Sequence, residues 1–166
     1  WDGSSPAGKR ILIHFEQGLG DTIQFIRYGR LLKKLGATVL AEVQAPLIKL
    51  LEAAEVVDEL YATGNAPNDF DFHAPMLSLP GLLGTTLATI PADVPYLQAD
   101  ASLVESWRAK LSQLPGFRIG IGWQGNPEYR GDRHRSVPLR HFAALAQIPG
   151  VTLTSLQKGH GTDQHA

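Results

Sequence analysis

Two stretches of this sequence gather side chains able to move a proton or hold an anion. The first is Glu16-Gln17-Gly18-Leu19-Gly20-Asp21, directly after the apolar run Arg10-Ile11-Leu12-Ile13-His14-Phe15. Two glycines between a strand and a helix let a ligand approach the backbone, and the aspartate that follows puts a proton acceptor beside it. Asp21 also suits a helix N-cap, with Gln24 three residues on as the other half of a capping-box-like pair, and one side chain serves both roles. The second stretch runs from Trp123-Gln124-Gly125-Asn126-Pro127 to Ser136-Val137-Pro138-Leu139 and packs Arg130, Arg133, His134 and Arg135 into six positions. Guanidinium groups between a strand end and a helix N-terminus suit a phosphate or diphosphate better than a carboxylate. A solvated polar loop is the alternative for the same residues.

A dinucleotide-binding reading of the first stretch starts well, because Gly18 and Gly20 follow a strand and Glu42 lies about 20 residues on, where a ribose-binding carboxylate belongs. It then fails. The third glycine position holds Ile23, and Asp21 at the helix mouth would repel a pyrophosphate. No phosphate-binding Gly-x-x-x-x-Gly-Lys-Ser/Thr loop occurs. His73, at the end of an expected strand, is a further candidate facing a cleft, whereas His14 within a strand reads as packed. Trp123, at a strand end, is placed to line a pocket. No His, Asp or Glu spacing suggests a metal site.

The composition narrows the class. The chain has 166 residues, 43% hydrophobic and 19% charged, enough apolar content to bury a core. With 15 Lys+Arg against 16 Asp+Glu the formal net charge is −1, so no global field favours a nucleic-acid backbone or an anionic membrane. The absence of cysteine excludes a disulfide scaffold, a thiolate metal site and a Cys nucleophile. No apolar run reaches the roughly 18 residues of a membrane span, and the expectation is a cytoplasmic protein. The chain begins at Trp1 in a polar stretch and ends in Gly159-His160-Gly161-Thr162-Asp163-Gln164-His165-Ala166, and both ends read as cut from something longer.

The elements that must position these residues alternate between strand and helix. Strands are expected over 10–15, 38–43, 59–62 and 71–73, with helices over 21–35, 46–54, 82–89 and 101–114. The first helix presents Phe25, Tyr28, Gly29, Leu32 and Leu35 to the core and a basic stripe of Arg27, Arg30 and Lys34 outward, and Gly36 ends it. After Pro115-Gly116 the pattern restarts, with a strand over 117–123, a polar loop over 124–138, a helix over 139–147 and a strand over 151–156. Strands alternating with helices predict an α/β fold with a Rossmann-like parallel sheet. The expected organisation is a linker over 1–9, a first lobe over 10–114, and over 117–166 the first β-α-β of a second Rossmann-like lobe.

The segment from Glu16 to Tyr28 resembles the glycosyltransferase region that follows tetratricopeptide repeats in many bacterial proteins. That region is similar to the heptosyltransferases of glycosyltransferase family 9 and more distantly to the O-GlcNAc-transferase type. The resemblance continues through Ser78-Leu79-Pro80, Gly84-Thr85-Thr86-Leu87, Ile90-Pro91, Pro95-Tyr96-Leu97, Gly122-Trp123-Gln124-Gly125-Asn126-Pro127 and Asp132-Arg133-His134-Arg135-Ser136-Val137-Pro138-Leu139 to Ser155-Leu156-Gln157-Lys158.

The resemblance implies a GT-B enzyme with two Rossmann-like lobes, working by metal-independent inversion and using no cofactor, its nucleotide-sugar being a substrate. It implies that Asp21 is the general base on the acceptor hydroxyl and that Arg135, where heptosyltransferases usually carry Lys, contacts the donor diphosphate. It further implies substrate contacts at Gln17, Gly18, Gly20, His73 and Thr85, and at Trp123, Asn126, Arg130, Arg133 and Ser136. The implied partners are a nucleotide-sugar donor, a glycan or protein acceptor, and tetratricopeptide repeats upstream, with no nucleic acid and no membrane span. A lone start of the donor lobe is expected to be incomplete as a transferase. A non-catalytic carbohydrate- or protein-binding module is the alternative, and a Rossmann oxidoreductase a third class.

Overall fold

Strand β1 (Arg10–His14) is nearly continuous in apolar residues, and such a run is at home only where both faces are covered. In the computed structural model, which describes residues 1–165 and the side chains of 1–164, β1 lies inside a parallel sheet. The order is β3-β2-β1-β4, with β2 spanning Thr38–Val43, β3 Glu59–Ala62 and β4 Phe72–Pro75. Ile11 aligns with Val39 on one side and Phe72 on the other, so β1 is hydrogen-bonded along both edges. The fold is α/β with a Rossmann-like parallel sheet, and a second, smaller parallel sheet pairs β5 (Phe117–Ile121) with β6 (Val151–Ser155).

By contact the chain divides into two units, residues 1–101 and 102–166. Helix α5 (Ala101–Leu111) thus falls almost wholly in the second unit, ahead of the boundary expected at Pro115-Gly116. Arg118 of β5 donates to the Leu111 carbonyl at 2.5 Å, which ties the end of this helix to the second sheet.

In the first unit the strand alternation sorts Ile11, Ile13, Val39, Ala41, Val43 and Ala74 onto one face, where they form a core with Ile26, Leu32 and Leu51. Helix α1 (Leu19–Phe25), a 3-10 turn (Ile26–Tyr28) and α2 (Gly29–Lys34) replace the single helix expected over 21–35. Leu35 lies beyond the last helical residue and is 48% exposed, and Ile26 takes the core position instead. Gly36 is the stop: at φ +88° it lets its own N–H bond Lys33 and that of Ala37 bond Leu32, which closes the orphan carbonyls of α2. The outward basic stripe is put to structural use. Arg27 donates to the Gln24 and Pro91 carbonyls and to the Tyr96 hydroxyl, and Arg30 donates to the Ala54 carbonyl.

The second helical region after β2 is short, a 3-10 turn (Ala45–Leu47) leading into α3 (Ile48–Glu52). The helix expected over 82–89 does not form. Helix α4 (Leu79–Leu82) ends instead at Gly84 (φ +61°), where Gly84 N–H bonds Gly81 and Thr85 N–H bonds Pro80. Thr86 and Thr89 then bond each other in a turn. Residues 1–9 also depart from a free linker: the Trp1 indole donates to Ser4, Trp1 packs on the core, and Gly8 N–H bonds the Gly36 carbonyl.

Gly29 sets how closely α2 meets the turn after α3. A Cβ there would stand 2.6 Å from the Val56 carbonyl oxygen and 2.9 Å from a Val57 methyl. Gly29→Ala is expected to lower stability by about 1–3 kcal/mol, the range for overpacking, although alanine is the better helix former by about 1 kcal/mol. Urea unfolding of the two proteins reads the sign, and a more stable alanine variant would show that the Val56 backbone yields.

Candidate functional site

Because all four strands of the first sheet are parallel, their carboxyl ends share one edge, and the loops that leave it must satisfy one another. Gln44, after β2, donates to the Gln17 carbonyl at 2.9 Å and accepts from the hydroxyl of the buried Thr22 at 2.8 Å. The Glu16 carboxylate accepts from Leu77 N–H, in the turn after β4, at 3.2 Å. The opposite edge is closed by carboxylates that cap strand amides: Asp71 accepts from Arg10 N–H and Asp58 from Val39 N–H, each at 2.8 Å. One edge is sealed and the other carries the loop of interest.

On that loop Asp21 is not the N-cap. Gly18 is the N-cap, in an extended conformation (φ −73°, ψ 170°), and Asp21 is the third residue of α1 with its carboxylate reaching back to Gly18 N–H at 3.0 Å. The capping box expected from Asp21 and Gln24 therefore sits three residues earlier and uses only its carboxylate half. Neither Gly18 nor Gly20 has a positive φ, and no atom lies within 4 Å of a Cβ added at Gly20. A Cβ at Gly18 would meet the Asp21 carboxylate at 3.4 Å, so the open space lies at Gly20, and neither glycine relieves backbone strain.

The other first-unit candidates are more scattered. Thr85 spends its N–H on Pro80 and lines an open groove of about 390 Å³ with Gln24, Phe25, Thr86, Leu87 and Ile90. Gln24 and Phe25, three and four residues after Asp21 in α1, line this groove, whereas Asp21 itself does not. His73 lies elsewhere: it aligns with Leu12 in the middle of β1, with its ring 5.8 Å from His14 and 6.1 Å from Phe70, on the sheet face opposite the core.

In the second unit the loop after β5 is held by polar bonds. Gln157, just past β6, accepts from Trp123 N–H at 2.8 Å and Gln124 N–H at 3.0 Å, and donates to the Gln124 and His160 carbonyls. Trp123 is buried, and its indole N–H donates to Gly161, so it packs the loop from inside rather than lining an open pocket. Asn126 caps a local turn by accepting from Glu128 N–H. Arg130 is exposed, and Arg133 donates to the His134 ring.

Sequence reasoning missed the centre of this loop, Asp132, which is 7% exposed in a 3-10 turn (Asp132–His134). One carboxylate oxygen accepts from Arg135 Nε at 3.1 Å and the other from the Ser136 hydroxyl at 2.8 Å, while Ser136 Oγ accepts from Gly125 N–H at 2.9 Å. Arg135 also lies over the Tyr129 ring at 4.9 Å. Gln157 was missed for a plain reason, since an uncharged amide some thirty residues from its partners carries no sequence signal. Among the described residues no three His, Asp or Glu side chains gather to hold a metal, and no helix is long and apolar enough to cross a membrane.

No family model matches this chain. Protein FlbA of Caulobacter vibrioides is similar to it, 27% identical over 179 aligned positions that cover 96% of this chain and 30% of FlbA. The chain thus spans less than a third of that relative's length. No solved structure matches it.

The Ser136 hydroxyl, seconded by the Arg135 guanidinium, outweighs the effect of burial and holds the Asp132 carboxyl below the ordinary carboxylate range. A carboxylate with a depressed folded-state pKa contributes its stability above the unfolded value of about 4 and loses it as the pH falls through the folded value. Asp132→Asn is therefore expected to melt below the parent at pH 7, the gap closing below about pH 4. A gap that persists unchanged to pH 3 would mean that the lost hydrogen-bond geometry, not the charge, carries the difference.

Proposed function

We propose that this chain provides the acceptor lobe and the start of the donor lobe of a metal-independent, inverting glycosyltransferase. The observation that carries the reading is that each unit places one chemically suited side chain shortly after its first strand, at the head of α1 in the first unit and in the loop after β5 in the second. In the first unit that is Asp21, part-exposed and bonded once, to Gly18 N–H. In the second it is Arg135, 54% exposed, with its Nε bonded to Asp132 and no hydrogen bond to either Nη among the described residues.

The chemistry asks for both groups. An acceptor hydroxyl is a weak nucleophile, and Asp21 takes its proton as the oxygen bonds to the anomeric carbon of the donor. The bond from that carbon to the donor phosphate oxygen breaks, and its electron pair leaves with the nucleoside diphosphate. Arg135 meets the charge that develops there, with bidentate geometry suited to phosphate oxygens. Attack opposite the leaving group inverts the anomeric centre. Gly20 keeps the space beside Asp21 free for the acceptor, and the groove between α1 and the Thr85–Ile90 segment offers it an apolar wall.

Turnover of nucleotide-sugars by the full-length protein tests the assignment. Asp21→Asn is expected to abolish transfer while costing less than about 1 kcal/mol of stability, because Asn still accepts from Gly18 N–H and only the charge at the helix N-terminus is lost. Normal turnover by this variant would reduce Asp21 to a helix cap. Arg135→Ala is expected to weaken nucleoside diphosphate binding by about 1.5–3 kcal/mol, the range for charged hydrogen bonds, as read by calorimetry. Nucleotide-sugar binding without turnover in the parent protein would favour a non-catalytic carbohydrate-binding module, and tight binding of NAD(H) alone would favour an oxidoreductase.

A further inference from the structure

Arg135 is unusually well held for a side chain more than half exposed. Its Nε bonds Asp132 Oδ1 at 3.1 Å, its guanidinium lies 4.9 Å over the Tyr129 ring, and its inner side rests on Gly125. A Cβ at Gly125 would stand 2.6 Å from Arg135 Nη2 and 2.5 Å from Asp132 Oδ1. Asp132 is itself fixed from several directions. Its second oxygen accepts from Ser136 Oγ at 2.8 Å, its N–H bonds the Tyr129 carbonyl, and its carbonyl accepts from the Arg135 and Ser136 N–H groups. Ser136 Oγ in turn accepts from Gly125 N–H at 2.9 Å, which closes the network on the start of the loop.

We propose that Asp132 is the positioning residue of the anion site, holding Arg135 by Nε, with Nη2 against Gly125, so that the guanidinium plane is preset for a diphosphate. This rests on the reading of Arg135 as the diphosphate ligand. A carboxylate close to an anion site opposes binding by Coulomb repulsion, and here two features limit that cost. Both carboxylate oxygens are already occupied by donors inside the loop, and Arg130 and Arg133 leave the segment net positive. The gain is geometric. A free arginine samples many rotamers and must lose them on binding, whereas an arginine anchored at Nε, stacked on Tyr129 and seated on Gly125 has lost them already. Bidentate recognition depends on the guanidinium plane, so tilting that plane removes much of the benefit of the charge.

The test is a double-mutant cycle on nucleoside diphosphate affinity in the full-length protein, using ADP, GDP, UDP and CDP in turn and following the tightest. Arg135→Ala and Asp132→Ala are each expected to weaken binding at least about tenfold, and the double variant no further than Arg135→Ala alone, because both remove the same oriented guanidinium. Asp132→Asn, which keeps the shape and one acceptor oxygen, is expected to weaken binding less than Asp132→Ala. It keeps the test open should the alanine variant fail to fold, with the cycle then run on Asn. Additive losses, unchanged affinity or tighter binding in the Asp132 variants, alongside a tenfold loss in Arg135→Ala, would overturn the positioning role and leave the diphosphate site standing. Unchanged affinity in Arg135→Ala would overturn the site and the positioning role together.

Discussion

The first unit depends on β1 being buried on both faces and bonded along both edges. Ile11 and Ile13 have no exposure to water, and their backbone groups pair with β2 on one side and β4 on the other. A strand in that position cannot shift by one residue without sending its apolar set to the wrong face. Whatever follows it must emerge at the middle of the carboxyl edge, flanked by the loops after β2 and β4. That constraint brings Gln17 against Gln44 and Glu16 against Leu77. It leaves the head of α1, with the part-exposed Asp21, between those loops.

Much of this was legible from residue type and spacing. The strands were legible because parallel strands buried on two faces read as short apolar runs, and the end of α2 because Gly36 sits where a left-handed residue is needed. The start of α1 was misplaced for a physical reason. An aspartate at the N-cap accepts from N–H groups further into the helix, and one at the third helical position reaches back to the N-cap N–H; both positions favour aspartate, so its identity cannot say which one it holds. The missing helix over 82–89 has a similar origin. Gly84 was read as lying inside the helix, yet it closes the preceding turn, its own N–H bonding Gly81 and that of Thr85 bonding Pro80. After it, Thr86 and Thr89 meet each other's polar groups, an alternative to helix that threonine offers readily.

The candidate site in the second unit divides along another line. Charge was visible in the sequence, because Arg130, Arg133 and Arg135 crowd one loop. Support was not. Trp123 read as a pocket wall because it ends a strand, and the structure turns it inward so that its indole N–H meets Gly161. Gln157 reaches the loop only because β6 runs parallel to β5 and delivers it beside Trp123 and Gln124. Asp132, one acidic residue among arginines, carries nothing in its identity or spacing that marks it as buried. Only its burial, and the two donors on its carboxylate, distinguish it from a surface acid.

The second unit also shows how a loop is fixed where little apolar surface is available. Among its described residues Ile121 and Trp123 are the buried hydrophobic side chains, and α5 buries none. A core that small cannot hold a fifteen-residue loop by packing, so directional bonds take that role: Gln157 with four partners, Ser136 with two, and Asp132 with its own two donors. Such bonds contribute modest stability each, but they fix orientation in a way that apolar contact does not. A loop built this way suits a site where the angle of a guanidinium matters more than the total energy of the fold. It also follows that the loop's order rests on uncharged and internally paired groups. Arg135 joins that network through Nε alone, so its remaining N–H groups can be taken up without dismantling the loop.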